Sequence, residues 1–589
     1  MKVFGSNISC RVSSFLNDTL KAFASFEKAN KKIYDVFGII HFFENTDELA
    51  VLKRSVSFSE NIFEEPDRAE YGDFQTNADL AHNIALRLVA KKSSPQIIVE
   101  PTCGKGSFII ASLRNFKNIE KIFGVEIYKP YVWETKFNII NFFLENPDSN
   151  KPEISITHGN VFEFDFKNIA EQFLTKEILI IGNPPWVTNS TLGTLNSTNL
   201  PQKSNFKNHS GLDAMTGKGN FDIAEFIALM MFETFQHNDG YLLFLVKNSV
   251  IKNIVFDQKI NKYNIANIEK HCIKSKKEFN VSVEAALFYC ELNANPSFDC
   301  KEYNFYENDA AYLTFGWLEN MFVSNILTYI NTKKIDGKSP FIWRQGLKHD
   351  CSAIMELEKV NGHYVNGLDE EILLENGLVY GILKSSDLKN RVIDQTRKFT
   401  IVTQKKVGQE TIYIKKEYPQ TYQYLTRHQD SFDARKSSIY NNKPLFSIFG
   451  IGDYSFKPYK VAISSLYKTY YFTLILPQDN KPVMLDDTCY FIGFDTIEFA
   501  LYSLMLLNSK ITMLFLQSVT FSDAKRVFTK DVLMRINLLE VAMTFSKKEL
   551  QTELQILNEK YQLHVTLNLW DSYIEAMTPV NNGQIAMFV

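Results

Sequence analysis

Two short stretches of the chain combine residue types that can do chemistry. The first is Ile97-Ile98-Val99-Glu100-Pro101-Thr102-Cys103-Gly104-Lys105-Gly106-Ser107-Phe108, which reads as an apolar strand, a tight turn and a helix start. Gly104 and Gly106 let the backbone turn sharply and approach a ligand with no Cβ in the way. A dinucleotide fingerprint needs glycine at 109, where the chain has Ile109. A phosphate loop needs Ser or Thr after Gly104-Lys105, where it has Gly106, so NAD and ATP are disfavoured. One strand later, Glu126 closes Phe123-Gly124-Val125-Glu126-Ile127. A carboxylate there can accept both hydroxyl hydrogens of a ribose, and Ile127 can cover one face of an adenine. Taken alone, Glu126 also fits a strand that ends at the surface; with the glycine turn it points to a nucleoside ligand.

The second stretch is Gly182-Asn183-Pro184-Pro185-Trp186, directly after the apolar run Ile178 to Ile181. Two prolines fix φ and remove two backbone donors, which makes a rigid turn at a strand's carboxyl end. Such a turn aims the Pro184 carbonyl and the Asn183 side chain at one spot, where an exocyclic amine would give a hydrogen to each oxygen. Trp186 offers a flat face for a base, worth about 1–3 kcal/mol of stacking.

The elements that must position these residues follow from periodicity. Helical spacing at Ala81–Ala90, Ser107–Leu113 and 221–236 alternates with apolar strands at Gln96–Val99, Ile122–Val125, Leu179–Ile181 and Tyr241–Val246. That rhythm predicts a parallel, doubly wound α/β sheet. Val281 to Leu292 reads as a last strand, and Asn293 to Ser297 as a domain boundary. Residues 1–70 form a helical extension with apolar spacing at Phe15, Leu20, Phe23 and Phe26, residues 71–296 the α/β domain, and 297–589 a separate α+β domain.

Together the residues Glu100-Pro101-x-Cys103-Gly104-x-Gly106-x-Phe108, Glu126 and Asn183-Pro184-Pro185-Trp186 resemble the amino-methyltransferases that use S-adenosylmethionine. They are most similar to the DNA adenine-N6 methyltransferases of restriction–modification type. Tyr71-Gly72-Asp73-Phe74-Gln75-Thr76 resembles the motif that precedes the glycine turn, and a long tail follows the catalytic half, which is the gamma order of parts. The motif-bearing likeness spans roughly residues 70–295; the tail is similar only through Ile342 to Gly346 and Ile382 to Leu388. The resemblance implies a Rossmann-like class I methyltransferase domain followed by an α+β target-recognition domain. It implies that Thr76, Glu100, Pro101, Thr102, Cys103, Gly104 and Gly106 hold the cofactor's methionine part. Glu126 then holds its ribose, and Ile127, Asn160 and Val161 surround its adenine. Asn183, Pro184, Pro185 and Trp186 form the catalytic turn, and Phe279 a second aromatic against the target base. The chain departs from the family at Asn77, where proline is usual after the threonine, and at Asn160, where an acid is usual.

On this reading adenine N6, whose lone pair is delocalised into the ring, gives both hydrogens to carbonyl acceptors and attacks the sulfonium methyl in line, by positioning and electrostatics. The base must leave the duplex, at a cost of about a few kcal/mol. The polar 187–220 stretch, with Lys203, Lys207 and Lys218, reads as a lid over DNA or a passive insertion. Between Lys384 and Lys468 there are 16 Lys+Arg and 7 Asp+Glu, a net of +9 in a chain of net −3. That stretch is a polyanion surface or an ordinary solvated face. Within it Arg435, Lys436, Lys457 and Lys460, with nearby aromatics, suit phosphates and base edges, and Lys525-Arg526 lie further on.

Composition sets the outer limits. With 589 residues, 45% hydrophobic and 22% charged, the chain needs at least two cores and is neither disordered nor fibrous. No apolar run reaches the roughly 18 residues of a membrane span, and the start has no signal-like apolar region. Seven scattered cysteines without C-x-x-C predict reduced thiols and no metal site. The expectation is therefore a cytoplasmic, nucleoid-associated monomer acting on double-stranded DNA, with any restriction endonuclease a separate chain. The rivals are a methyltransferase for RNA or protein glutamine, which tends to be smaller, and a non-catalytic DNA-recognition subunit, which an intact catalytic turn disfavours.

Overall fold

The structure, a computed structural model, describes residues 2–3, 6–57, 74–188, 222–307, 311–522 and 526–578. The chain folds as two compact units, Met1–Phe322 and Val323–Val589.

The first unit begins with a small hairpin, β1 (Lys2–Val3) and β2 (Ser6–Asn7), and then α1 (Cys10–Leu20), α2 (Phe26–Phe37), β3 (Ile39–Ile40) and α3 (Thr46–Ser57). Ser9 and Ser25 cap the first two helices, accepting from the Val12 and Lys28 N–H groups. The α/β repeat follows. It runs α4 (Ala78–Ala90), β4 (Ile97–Glu100), α5 (Ser107–Asn115), β5 (Lys121–Glu126), α6 (Lys129–Glu145), β6 (Glu153–His158), α7 (Phe166–Gln172) and β7 (Ile178–Gly182). It continues with α8 (Ile223–Phe235), β8 (Gly240–Lys247), α9 (Asn248–Asn261), β9 (Ile265–Cys272), α10 (Ser275–Phe279), β10 (Ala285–Leu292), β11 (Asp299–Asn304), β12 (Leu313–Leu318) and β13 (Met321–Val323). Every residue of β4 and β7 is buried, as expected of parallel strands covered on both faces.

The strands form one sheet in the order β13-β12-β11-β9-β10-β8-β7-β4-β5-β6-β3. From β4 the chain winds one way through β5 and β6 and then returns to β7 and β8, all parallel. The reversal between β4 and β7 opens a crevice at their carboxyl ends, where ligands bind in doubly wound sheets. The last motif strand departs from the all-parallel expectation: β10 lies between β8 and β9 and is antiparallel to both. Among the described strands β3 to β10 it is the one antiparallel strand, and its insertion at this place is the class I methyltransferase arrangement; β12, further out, is antiparallel to β11. Strands β6 and β9 have mixed polarity and were not legible as apolar runs.

Two boundary expectations change. The Asn293-to-Ser297 stretch is a turn: Ala294 N–H donates to Asn264 O (3.1 Å) and Ser297 N–H to Ile265 O (3.0 Å). It delivers β11 alongside β9, so the sheet continues to β13 and the unit ends at Phe322 rather than 296. Nor are the leading residues an appendage. β3 extends the sheet next to β6, and Phe37, Phe42 and Phe43 are buried in one core with Trp133 and Phe137 of α6.

The second unit is α+β. A five-stranded sheet contains Tyr459–Ser464 and Cys489–Phe494, and a six-stranded sheet contains Val379–Leu383 and Lys398–Ile401. Helices Ile497–Leu507, Lys510–Val519, Lys547–Tyr561 and Trp570–Met577 follow. No single helix among the described residues is long and apolar enough to cross a membrane.

Candidate active site

The glycine turn is held open by its neighbours. Gly104 has φ 51° and Gly106 φ 80°, the left-handed region that favours glycine. A Cβ on Gly104 would stand 2.7 Å from Gln75 Oε1, and one on Gly106 2.8 Å from Thr135 Cγ2. Cys103 N–H donates to Val125 O and Gly106 N–H to Cys103 O, both at 2.8 Å, while the Thr135 hydroxyl donates to Gly104 O (2.8 Å). Glu126 clasps this loop to the next helix: its Oε2 accepts from Gly104 N–H and its Oε1 from Tyr128 N–H, each at 2.8 Å. Its first task is therefore to set the turn, and with about four acceptor sites a carboxylate is not exhausted by two bonds.

The turn forms the floor of a cleft of about 870 Å³, part of it open to solvent. Thr76, the Glu100-to-Gly104 segment, Glu126, Ile127 and Val161 all line it, as does Asn183. Gly106 does not; it starts α5 instead. Asn160 departs from the expectation of an adenine contact. Its side-chain oxygen accepts from Phe162 N–H (3.0 Å) in a local turn that presents Val161 and Phe162 to the cleft in its place. Lining residues that motif reading missed include Tyr128 and Tyr131 at the start of α6, and Ile223 and Ile227 on α8. The tyrosine spacing, one helical turn apart just after Glu126, was the available signal.

Two polar atoms of this floor, Glu100 Oε2 and Thr102 Oγ1, are buried without a hydrogen-bond partner. Burial pushes the Glu100 carboxyl well above the ordinary carboxylate range, and the neighbouring Glu126 charge adds to the shift. Burial likewise pushes the Cys103 thiol up, so it is an inert wall rather than a nucleophile.

At the end of β7 the Asn183 amide group donates from Nδ2 to the Phe74 carbonyl (2.6 Å) and to Thr76 Oγ1 (3.3 Å). A carbonyl can only accept, so this contact fixes which end of the carboxamide is nitrogen. The other end, Oδ1, is buried and has no partner. Pro184 is buried and Pro185 lines the cleft. Trp186 departs from the expected open stacking face. It is only 6% exposed, donates from Nε1 to Leu245 O (3.1 Å), and does not line the cleft. Phe279 meets it edge-on with centroids 5.1 Å apart, and Phe74 leans on it at 5.2 Å. Of these three rings, Phe74 is the one that faces the cleft.

The cations assigned to DNA fare differently. Lys203, Lys207 and Lys218 lie outside the described residues, as do Lys525 and the Tyr71-to-Asp73 part of the first motif. Lys460 is fully buried on strand Tyr459–Ser464, donating to Lys457 O (2.7 Å), and burial pulls its ammonium down to about 7. It cannot touch DNA from there. Arg435 is half-buried and committed to Ser447 O (2.7 Å) and Phe432 O (3.0 Å), with its guanidinium 3.7 Å from the Tyr440 ring centre. Lys457 pairs with both oxygens of Asp495 at 2.6–2.7 Å, and Arg526 with Asp487 O (2.7 Å). Lys436 is exposed.

A class I sheet, a glycine turn with an acid on the neighbouring strand, and an Asn-Pro-Pro-aromatic turn at the switch point are together the features of a class I methyltransferase. The N-6 DNA methylase family profile matches residues 61–311. A type II methyltransferase, M.NspV of Nostoc sp., is 40% identical over 476 residues, covering 80% of this chain and 97% of the relative. Among solved structures the type IIL restriction–modification enzyme MmeI, in complex with DNA, aligns at TM-score 0.52 with 13% identity. That alignment covers 90% of this chain and 80% of MmeI, which supports the fold alone. The chain belongs to the N-6 DNA methylase family of restriction–modification DNA methyltransferases.

Proposed function

We propose that the chain transfers a methyl group from S-adenosylmethionine to the N6 amine of an adenine flipped out of duplex DNA. One observation carries this reading: the buried, unpartnered Asn183 Oδ1 at the cleft wall, with the amide's orientation fixed by Phe74 and Thr76. An acceptor without a donor is costly when buried, by about 1–3 kcal/mol, unless a ligand supplies the hydrogen.

The cleft suits the cofactor. It is lined by apolar side chains with a few convergent polar groups, as small-molecule sites are. Glu100, buried with an unpartnered oxygen and short of compensating charge, is complementary to a cation, and S-adenosylmethionine carries both an ammonium and a sulfonium. Bound there, the cofactor would supply an electrophilic methyl. Thr76 and the Glu100-to-Gly104 segment would hold its methionine part, Glu126 its ribose, and Ile127 and Val161 its adenine. The protein's contribution to the reaction is then geometric. Asn183 Oδ1, with the Pro184 carbonyl, accepts the two N6 hydrogens and localises the nitrogen lone pair; the proton leaves after transfer, so no strong base is needed. Phe74, backed by Trp186 and Phe279, supplies the apolar wall for the flipped base, a part that the sequence pattern alone gives to Trp186.

The second unit is the target-recognition domain on this reading, beginning at 323 rather than 297, and any cognate endonuclease is a separate chain. A direct test incubates the purified full chain with radiolabelled S-adenosylmethionine and unmethylated genomic DNA, then digests to nucleosides. Label in N6-methyladenine is expected; label in cytosine alone, or none, rejects the assignment.

A further inference from the structure

The departure at Asn77 has a structural use. Its Oδ1 accepts from Leu80 N–H (2.8 Å) as the N-cap of α4, which frees its Nδ2 to donate to Glu278 Oε2 (3.2 Å). Proline at this position would offer neither bond. Glu278 is in turn fixed by Tyr306, whose hydroxyl donates to Oε1 (2.8 Å) while accepting from Lys274 N–H (3.1 Å). Glu278 immediately precedes Phe279 in α10, a helix of five residues that cannot hold its own position by helical cooperativity. Phe279 packs on Trp186, and its ring is 6.5 Å from that of Phe74.

The segment 74–77 therefore touches each part of the site. Through Phe74 O and Thr76 it orients Asn183, and through Thr76 O it accepts from the Ser107 hydroxyl at the glycine turn (2.7 Å). Through Asn77 it reaches the helix that bears Phe279. The first two links involve elements that are firmly held without it, since β7 and β4 are buried central strands. The third is different: α10 is short, and beside the ring contacts of Phe279 it is the Asn77 bond that joins it to the segment 74–77 by a polar link.

We propose that Asn77 is a positioning residue for methyl transfer: its bond to Glu278 locks the Phe279-bearing helix to the segment that aims Asn183, so the aromatic wall and the acceptor amide keep one registry. The proposal rests on the adenine-pocket reading above.

The test is a donor–acceptor exchange in the full-length enzyme. Asn77→Asp keeps the helix cap, since aspartate caps as well as asparagine, but sets a carboxylate against Glu278. Single-turnover methyl transfer is expected to fall about fivefold to tenfold, the scale of one lost hydrogen bond at an exposed site. S-adenosylmethionine affinity and melting temperature should hold. Adding Glu278→Gln restores a bond with the donor on the other side, and the double variant should regain most of the lost rate. Failure of the second substitution to rescue, or a loss that tracks melting temperature alone, overturns the proposal. Total label entering DNA reads the exchange whichever base is methylated, and nucleoside digestion separately reads the adenine assignment. The two can therefore fail independently, and a wild-type enzyme that transfers no methyl sinks both.

Discussion

The cleft of the first unit and the basic stretch of the second both stand out by residue type, yet three polar residues of the one and three cations of the other are in opposite states. In the cleft, Glu100, Thr102 and Asn183 each bury a polar atom that has no partner. In the basic stretch, Lys460, Arg435 and Lys457 all have partners, in a backbone carbonyl, several carbonyls and a carboxylate respectively. Unmet bonding capacity inside a fold is expensive and persists where a ligand meets it; met capacity is structure. The first region is therefore built to receive something, and these cations of the second are already engaged within their own unit.

The largest expected effect breaks the first side of this contrast. Asn183→Ala should lower methyl transfer by about 10²–10³-fold, the scale of one preorganised transition-state contact, with cofactor affinity kept in a calorimetric titration. Retained turnover would mean that the unpartnered oxygen is idle.

Lys460→Met tests the other side. The native lysine is neutral when buried near pH 8–10 while the unfolded chain is charged, so the wild type loses stability as pH falls from the unfolded value near 10.5 to about 7 and then levels off. Removing the amine should raise stability by on the order of a few kcal/mol at pH 7 and little at pH 10.5, read by denaturant unfolding at both, with DNA affinity unchanged. A loss of DNA binding without a change in stability would return Lys460 to the interface.

Arg435→Ala should destabilise the second unit by about 1–3 kcal/mol, because it leaves the Ser447 carbonyl without its donor. The salt dependence of DNA binding should not move. Lys436→Gln, an exposed neighbour, is the smallest case: the slope of log affinity against log salt should shift by about 0.9 if it meets a phosphate, with no change in unfolding. A pattern reversed between these two residues would invert the comparison.

The same contrast explains what the sequence made legible. Glycine and proline positions constrain backbone directly, so Gly104, Gly106 and the Asn183-to-Pro185 turn could be read as geometry from residue type alone. The apolar strands β4, β7 and β8 were visible because parallel central strands are apolar on both faces. β9, carrying Asn267, Glu269, Lys270 and His271, gave no such pattern, since its polar groups are matched by neighbours such as Lys91 and Glu302 that only folding brings near. Trp186 illustrates the limit within the site: an aromatic after two prolines identifies the turn, but whether its face is open or covered depends on Phe74 and Leu245, which lie about 110 positions before it and about 60 after it. Charge density was least informative, because counting cations says nothing about which of them are already paired.

The hairpin at the amino end has a practical corollary. The Ser6 hydroxyl donates to the Pro130 carbonyl in the first turn of α6, the turn whose Tyr128 and Tyr131 border the cleft. A purification tag or fusion partner joined ahead of Ser6 enters the chain a few residues from that contact, so cofactor affinity is best measured with and without it. Cleaving the handle before titration, or moving it elsewhere, removes the ambiguity.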